Sequence, residues 1–175
     1  MPIATVMEKA AEQVRDDRAA VAGHVLSYAG CDLLCYRADA PSELRDHQQA
    51  VWQPLLDWAA ETFGAALRVT DGVIPVEQLA GALTRLRKAV DALDDRSLAA
   101  LAVAARASGS LIIGLALIEG RIDVDAALEA SGLDDRWQNE KWGEDPETKK
   151  CQDALREEIQ AAVDFLKLVR GSEGP

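Results

Sequence analysis

The chain has 175 residues and a mass of 18.8 kDa, with 49% hydrophobic and 28% charged residues. This composition is enough for one folded core and excludes a disordered chain. The chain has 19 basic and 30 acidic residues and a formal net charge of -11, so it lacks the basic footprint that nucleic-acid binding needs. The odd number of cysteines, three, and the lack of a basic and apolar leader at Met1 indicate a reducing compartment.

Helical spacing of apolar residues begins at the start of the chain. Residues 3–29 follow this pattern, with a charged interruption at residues 15–18. A second helix is predicted to begin at an N-cap, Ser42, and to stop at Gly64.

The middle of the chain contains a single strand candidate. Residues 66–74 alternate for a few positions and contain the turn pair Asp71-Gly72, which predicts at most one short β-hairpin. Pro75 is then expected to open another helix.

An apolar run from Leu98 to Ile118 carries one charge, at Arg106. Its length would suffice for a membrane span, but the central charge and the absence of flanking basic clusters argue against insertion. We therefore predict one nearly fully buried helix over about 97–119. Such a helix needs neighbours on all sides, which predicts an all-α fold, an orthogonal or irregular helical bundle.

The remaining helices have clear start and stop signals. Asp123 is predicted to cap a helix that ends before Gly132, and residues 133–142 form another amphipathic segment. Asp145, Pro146 and Glu147 are the N-cap, first-turn proline and first-turn acid expected of a final helix.

Motifs for metal or phosphate chemistry are incomplete. His24 and His47 lie on different predicted helices, and neither has a second histidine or a cysteine at three or four residues. Gly109 and Gly114 have the spacing of a phosphate-binding loop, but the following lysine and hydroxyl residue are missing. We predict no metal, no cofactor and no catalytic residue.

Two alternatives remain open at this point. A small cytosolic enzyme could use Cys35 with acidic residues, provided that Arg37 lowers the pKa of the thiol. An acidic helical scaffold could bind some other basic partner, and high salt should weaken that binding.

The acidic residues are concentrated in one stretch. From Asp123 to Glu158 there are 12 acidic and 5 basic residues. Trp137 and Trp142 lie within this stretch, and tryptophan among charges is typical of an interface anchor. We expect an acidic docking face here.

Several strings, in order and nearly along the whole chain, resemble the assembly chaperones that handle the alpha subunit of the F-type ATP synthase head. They are DLLCYRA at 32–38, WQPLLDWA at 52–59, GSLIIGLAL at 109–117, LDDRWQ at 133–138 and WGED at 142–145.

The resemblance implies a non-enzymatic role: holding the newly made alpha subunit until the beta subunit replaces it. It also implies a helical domain, here 1–170. Residues 171–175 have no apolar side chain to bury apart from Pro175, and we expect them to form a flexible tail. Family members carry a β-rich N-terminal domain, and Met1-Pro2-Ile3 matches a point after it, so we expect a fragment or a short member that lacks this domain. The expected location is the bacterial cytoplasm, or the mitochondrial matrix in a eukaryote, without membrane insertion.

The family relies on an acidic residue near its WG motif. We place that role on Glu147, with Glu144 as second choice. The expected partner-binding set is Glu147, Glu144, Asp145, Trp142, Trp137 and Gln138, and the expected partner is the ATP synthase alpha subunit.

Overall fold

The computed structural model describes residues 3–72 and 74–172, and most of them are helical. The helices within these residues are α1 Ile3–Asp16, α2 Arg18–Ser27, α3 Ser42–Phe63, α4 Ala80–Asp91, α5 Asp95–Ser108, α6 Leu111–Ile118, α7 Val124–Ser131, α8 Leu133–Trp142 and α9 Pro146–Ser172. Two short strands are β1 Tyr36–Arg37 and β2 Thr70–Asp71. The predicted all-α class is confirmed. Residues 173–175 of the expected tail lie outside the described residues.

Aspartates fix the starts of several helices. The side chain of Asp17 accepts a hydrogen bond from the Ala20 N–H and so separates α1 from α2 at the predicted charged interruption. Asp94 and Asp123 cap α5 and α7 in the same way, with backbone N–H donors at 2.7 and 2.8 Å. Each cap satisfies a backbone donor that the first helical turn leaves free.

The apolar run forms two helices, so the prediction of one helix over 97–119 is wrong. Gly109 ends α5 in a left-handed conformation with φ of 74°. Ser110 then caps α6, because its hydroxyl accepts a hydrogen bond from the Ile113 N–H at 3.0 Å. The near-complete burial was predicted correctly, since all eight residues of α6 are buried.

Helix α6 packs very closely on α5. A Cβ atom at Gly114 would lie 2.9 Å from Leu101 Cδ1 and 3.3 Å from the Ala105 backbone nitrogen. Only glycine permits this approach without movement of the neighbouring helix. Helix α5 also contacts α1 and α9, so α5 and α6 form the centre of the core. Within the described residues, no helix is long and apolar enough to cross a membrane.

A buried carboxyl group joins α6 to the segment before β1. Asp32 is completely buried and accepts hydrogen bonds from the Ser110 hydroxyl at 2.6 Å, the Ile112 N–H at 3.2 Å and the Leu34 N–H at 3.1 Å. Burial raises the pKa of Asp32 to about 6, and the three accepted hydrogen bonds limit the rise.

The strand prediction was wrong in its pairing. Strand β2 pairs in parallel with β1, in the register Tyr36 to Thr70 and Arg37 to Asp71. It does not fold back on its own neighbours as a hairpin at 66–74, because α3 forms the crossover between the two strands. Val73 lies outside the described residues.

Two predicted helix starts are displaced. Ser42 is the first residue of α3, and Pro41 occupies the N-cap without a side-chain hydrogen bond. Helix α4 begins at Ala80 after an extended Leu79, so Pro75 lies in the preceding segment and does not open the helix.

Candidate partner-binding site

The two tryptophans of the acidic stretch lie on α8. Trp142 is the last residue of this helix and its side chain is 87% exposed. Trp137 is half-buried, and Lys141 Nζ lies 5.3 Å from its ring centroid. An indole with this exposure contributes little to the core, so Trp142 is available to a partner.

The pocket beside α8 measures about 660 Å³, which lies within the range of roughly 300 to 1,000 Å³ typical of small ligand sites. We name it the α3–α8 pocket. Its walls come from β1 and the loop after it, the first turns of α3, Gly72 and α8. The lining residues are Tyr36, Arg37, Ala38, Asp39, Ala40, Pro41, Leu44, Gln48, Gly72, Asp134, Trp137, Gln138 and Trp142.

The structure thus brings together three residues of the predicted set, Trp137, Gln138 and Trp142. The other three, Glu144, Asp145 and Glu147, are exposed and do not line this pocket. Glu144 and Asp145 follow α8 directly, and Glu147 lies in the first turn of α9.

These three acidic residues differ in their contacts. Asp145 caps α9, since its carboxylate accepts a hydrogen bond from the Glu147 N–H at 3.1 Å and contacts the Thr148 hydroxyl at 3.5 Å. The predicted N-cap is therefore confirmed. Among the described residues, the carboxylates of Glu144 and Glu147 have no hydrogen bond or ion pair.

Hydrogen bonds from two side chains of α3 hold the pocket walls together. Gln48 is buried; its amide oxygen accepts the Ala38 N–H at 2.8 Å, and its amide nitrogen donates to Asp134 Oδ1 at 2.7 Å. Trp52 Nε1 donates to the Ala130 carbonyl at 2.8 Å. These bonds connect the loop after β1, α3 and the α7–α8 region, so the pocket is preformed.

Arg37 also lines the pocket, although the sequence pointed to this residue only as a neighbour of Cys35. The residue is 3% exposed, and its terminal nitrogens donate to Gln49 Oε1 at 3.4 Å and Gln53 Oε1 at 3.3 Å. The guanidinium lies 5.7 Å from the ring centroid of Trp52. Burial lowers the pKa of Arg37, and the cation–π contact with Trp52 favours the charged form.

The structure opposes the hypothesis of an enzyme that uses Cys35. The thiol is buried, and its sulfur accepts a hydrogen bond from Gln78 Nε2 at 3.5 Å. Burial, together with the nearby charge of Asp32, raises its pKa to about 12, and Arg37 offsets only part of this rise. Such a thiol is not a nucleophile at neutral pH.

Comparison with known proteins identifies the family. The family model described as ATP12 chaperone protein matches residues 1–60. The structure of Atp12 from Paracoccus denitrificans is 43% identical, with a TM-score of 0.88 over 91% of this chain and 68% of that chain. The chain belongs to the ATP12 chaperone family. The resemblance stated from the sequence is thereby confirmed.

Two further solved structures are similar to this ATP12 family member. A mutant of P. denitrificans Atp12p is 42% identical, with a TM-score of 0.88 over 91% of this chain and 68% of that chain. The Atu1473 protein from Agrobacterium tumefaciens is 34% identical, with a TM-score of 0.84 over 90% of this chain and 59% of that chain. The part matched by the family model, residues 1–60, includes the β1 and α3 walls of the α3–α8 pocket.

Proposed function

We propose that this ATP12 family chaperone binds the unassembled alpha subunit of the F-type ATP synthase head and keeps it from aggregating until the beta subunit replaces it. Membership of a chaperone family favours binding over catalysis. The observation that carries the proposal is the exposed Trp142, which ends a charged helix beside a preformed pocket.

The physical basis of the proposal is the protection of an apolar surface. An unassembled subunit exposes the apolar area that its neighbour would bury, and such patches drive association. Aromatic anchors on the chaperone cover part of that area. Because the chain carries a formal net charge of -11, separate complexes repel one another in solution.

We assign the contact to the surface that runs from α8 into α9. Trp142, Trp137 and Gln138 would contact the alpha subunit at the pocket, and Glu144 and Glu147 would meet basic groups of the subunit beside it. Asp145 would act in part through its cap, since it fixes the first turn of α9. Release needs only a beta subunit that buries more area on the alpha subunit.

We further propose that the protein works in the cytoplasm of a bacterium, or in the matrix of a mitochondrion. In this proposal residues 1–170 act as the helical domain.

The test combines the chain with isolated alpha subunit. We expect one complex in gel filtration and suppressed light scattering when alpha is diluted from denaturant. The isolated beta subunit is the matched client control, which should aggregate at the same rate with and without the chain. Adding beta to the preformed complex should release the chain. Unchanged scattering of alpha, or equal protection of beta, would contradict the proposal.

A further inference from the structure

We propose that the α3–α8 pocket binds the guanidinium group of an arginine side chain. The site combines aromatic faces with two carboxylates that have no cationic partner. The assignment of this arginine to the alpha subunit rests on the proposed function, whereas the chemistry of the pocket does not.

Three aromatic side chains border the pocket. Trp142 is almost fully exposed, and Trp137 and Tyr36 are half-buried. The indole ring is the aromatic group that attracts cations best. Lys141 Nζ lies 5.3 Å from the ring centroid of Trp137, so one aromatic ring of α8 already contacts a cationic side chain of the same chain.

Two carboxylates line the same pocket. The carboxylate of Asp39 lies against Gly72: a Cβ atom added at Gly72 would be 2.7 Å from Asp39 Oδ2. Asp39 lines the pocket and has no hydrogen bond or ion pair among the described residues. Asp134 uses Oδ1 for the amide of Gln48, which leaves Oδ2 without a partner among those residues. A cationic ligand would supply the charge that both carboxylates lack.

The single basic residue in the pocket lining, Arg37, forms no hydrogen bond or ion pair with either carboxylate. Arg37 directs its terminal nitrogens to Gln49 and Gln53 on α3 and is 3% exposed. Residues 133–147, which include Asp134 of the pocket lining, contain six acidic and two basic residues. The surrounding field therefore favours a positive ligand over a carboxylate.

Arginine fits this site better than lysine does. The guanidinium is planar, so it stacks on an indole face, and its fork of donors can reach more than one carboxylate oxygen. The guanidinium is also less strongly hydrated than an ammonium group, so it loses less hydration free energy when it enters a half-buried pocket.

The first experiment titrates the protein with N-acetyl-arginine amide and follows the indole N–H signals of Trp137 and Trp142 by NMR. We expect saturable shifts at both indoles, with N-acetyl-lysine amide binding more weakly. The neutral analogue N-acetyl-citrulline amide and the anionic N-acetyl-glutamate amide should leave the signals in place. Shifts of equal size with citrulline amide, shifts with glutamate amide, or no shift with arginine amide would overturn the proposal.

The variant Asp39→Asn/Asp134→Asn removes the two charges but keeps the oxygen that accepts the Gln48 hydrogen bond. We expect its affinity for arginine amide to fall by about tenfold, because each exposed charge pair contributes a modest binding free energy and two such pairs are lost. The control Asp135→Asn/Glu140→Gln removes two charges from α8 outside the pocket lining. It should bind like the original chain, and an equal loss in both variants would overturn the pocket assignment. A far-UV thermal melt confirms that each variant is folded.

A second readout uses the isolated alpha subunit with the same variants. Weaker capture by Asp39→Asn/Asp134→Asn than by the control supports an arginine of alpha as the occupant. If the original chain does not capture alpha while the arginine-amide shifts persist, the proposed function fails and the pocket assignment stands. If alpha binds equally to all variants and the arginine-amide shifts are missing, the pocket assignment fails and the proposed function stands.

Discussion

The centre of the core and the α8 surface differ in how much of each helix is buried. All eight residues of α6 are buried, whereas Leu133 is the one buried residue of α8. Helix α6 consists of apolar residues alone, while α8 carries charged residues on most of its length. The first region therefore holds most of the stability per residue, and the second can present side chains to a partner at little cost in folding.

The largest expected effect is in α6. Ile112→Ala removes a side chain that is 0% exposed, so it loses burial and leaves a cavity. We expect the free energy of unfolding to fall by about 3 kcal/mol, within the range for such truncations. Urea denaturation followed by circular dichroism measures the change. If the free energy of unfolding fell no more than it does for a substitution at an exposed residue, the proposed difference in stability between α6 and the α8 surface would be wrong.

The buried Asp32 gives a pH-dependent effect of similar size. Burial raises the pKa of Asp32 from 3.8 to about 6. The folded state therefore binds this proton more tightly than the unfolded state does, and the free energy of unfolding falls as the pH rises from about 4 to 6. At 1.4 kcal/mol for each pH unit, ionised Asp32 costs roughly 3 kcal/mol at neutral pH relative to the protonated form.

Asp32→Asn tests this sign, because asparagine cannot titrate. The difference in unfolding free energy between the two proteins should change in favour of the variant as pH rises through that window, whatever the offset at low pH. Denaturant titrations at several pH values measure it. The matched variant Asp91→Asn, at an exposed position on α4, should show no such trend. A constant difference for Asp32→Asn would show that burial does not raise the pKa of this carboxyl.

The positions of many helices could be predicted from sequence signals within one helical turn. Helix α8 has the predicted bounds, and Asp123 and Asp145 cap helices as expected, because a cap depends on residues within one turn. The break at Gly109 was missed because the apolar run continues through it, and burial alone does not distinguish one long helix from two shorter ones.

The candidate site was predictable only in part. Trp137, Gln138 and Trp142 are close in sequence, so their shared surface followed from a helical pattern. The other wall of the pocket depends on tertiary contacts, above all the Gln48 to Asp134 hydrogen bond between residues 86 positions apart. Asp39 carries no local signal that would place it beside α8.

The smallest expected effect on stability is at Trp142. Trp142→Ala removes a side chain that is 87% exposed, so the free energy of unfolding should change by less than about 0.5 kcal/mol. If the ring anchors the alpha subunit, the same substitution should weaken capture by about 30-fold, the size typical of an interface hot spot. Leu168→Ala is the matched control, because this exposed apolar side chain lies on α9 away from the pocket. A large loss of stability with unchanged affinity would assign Trp142 to the fold, and equal losses of affinity in both variants would remove the special role of the α8 surface.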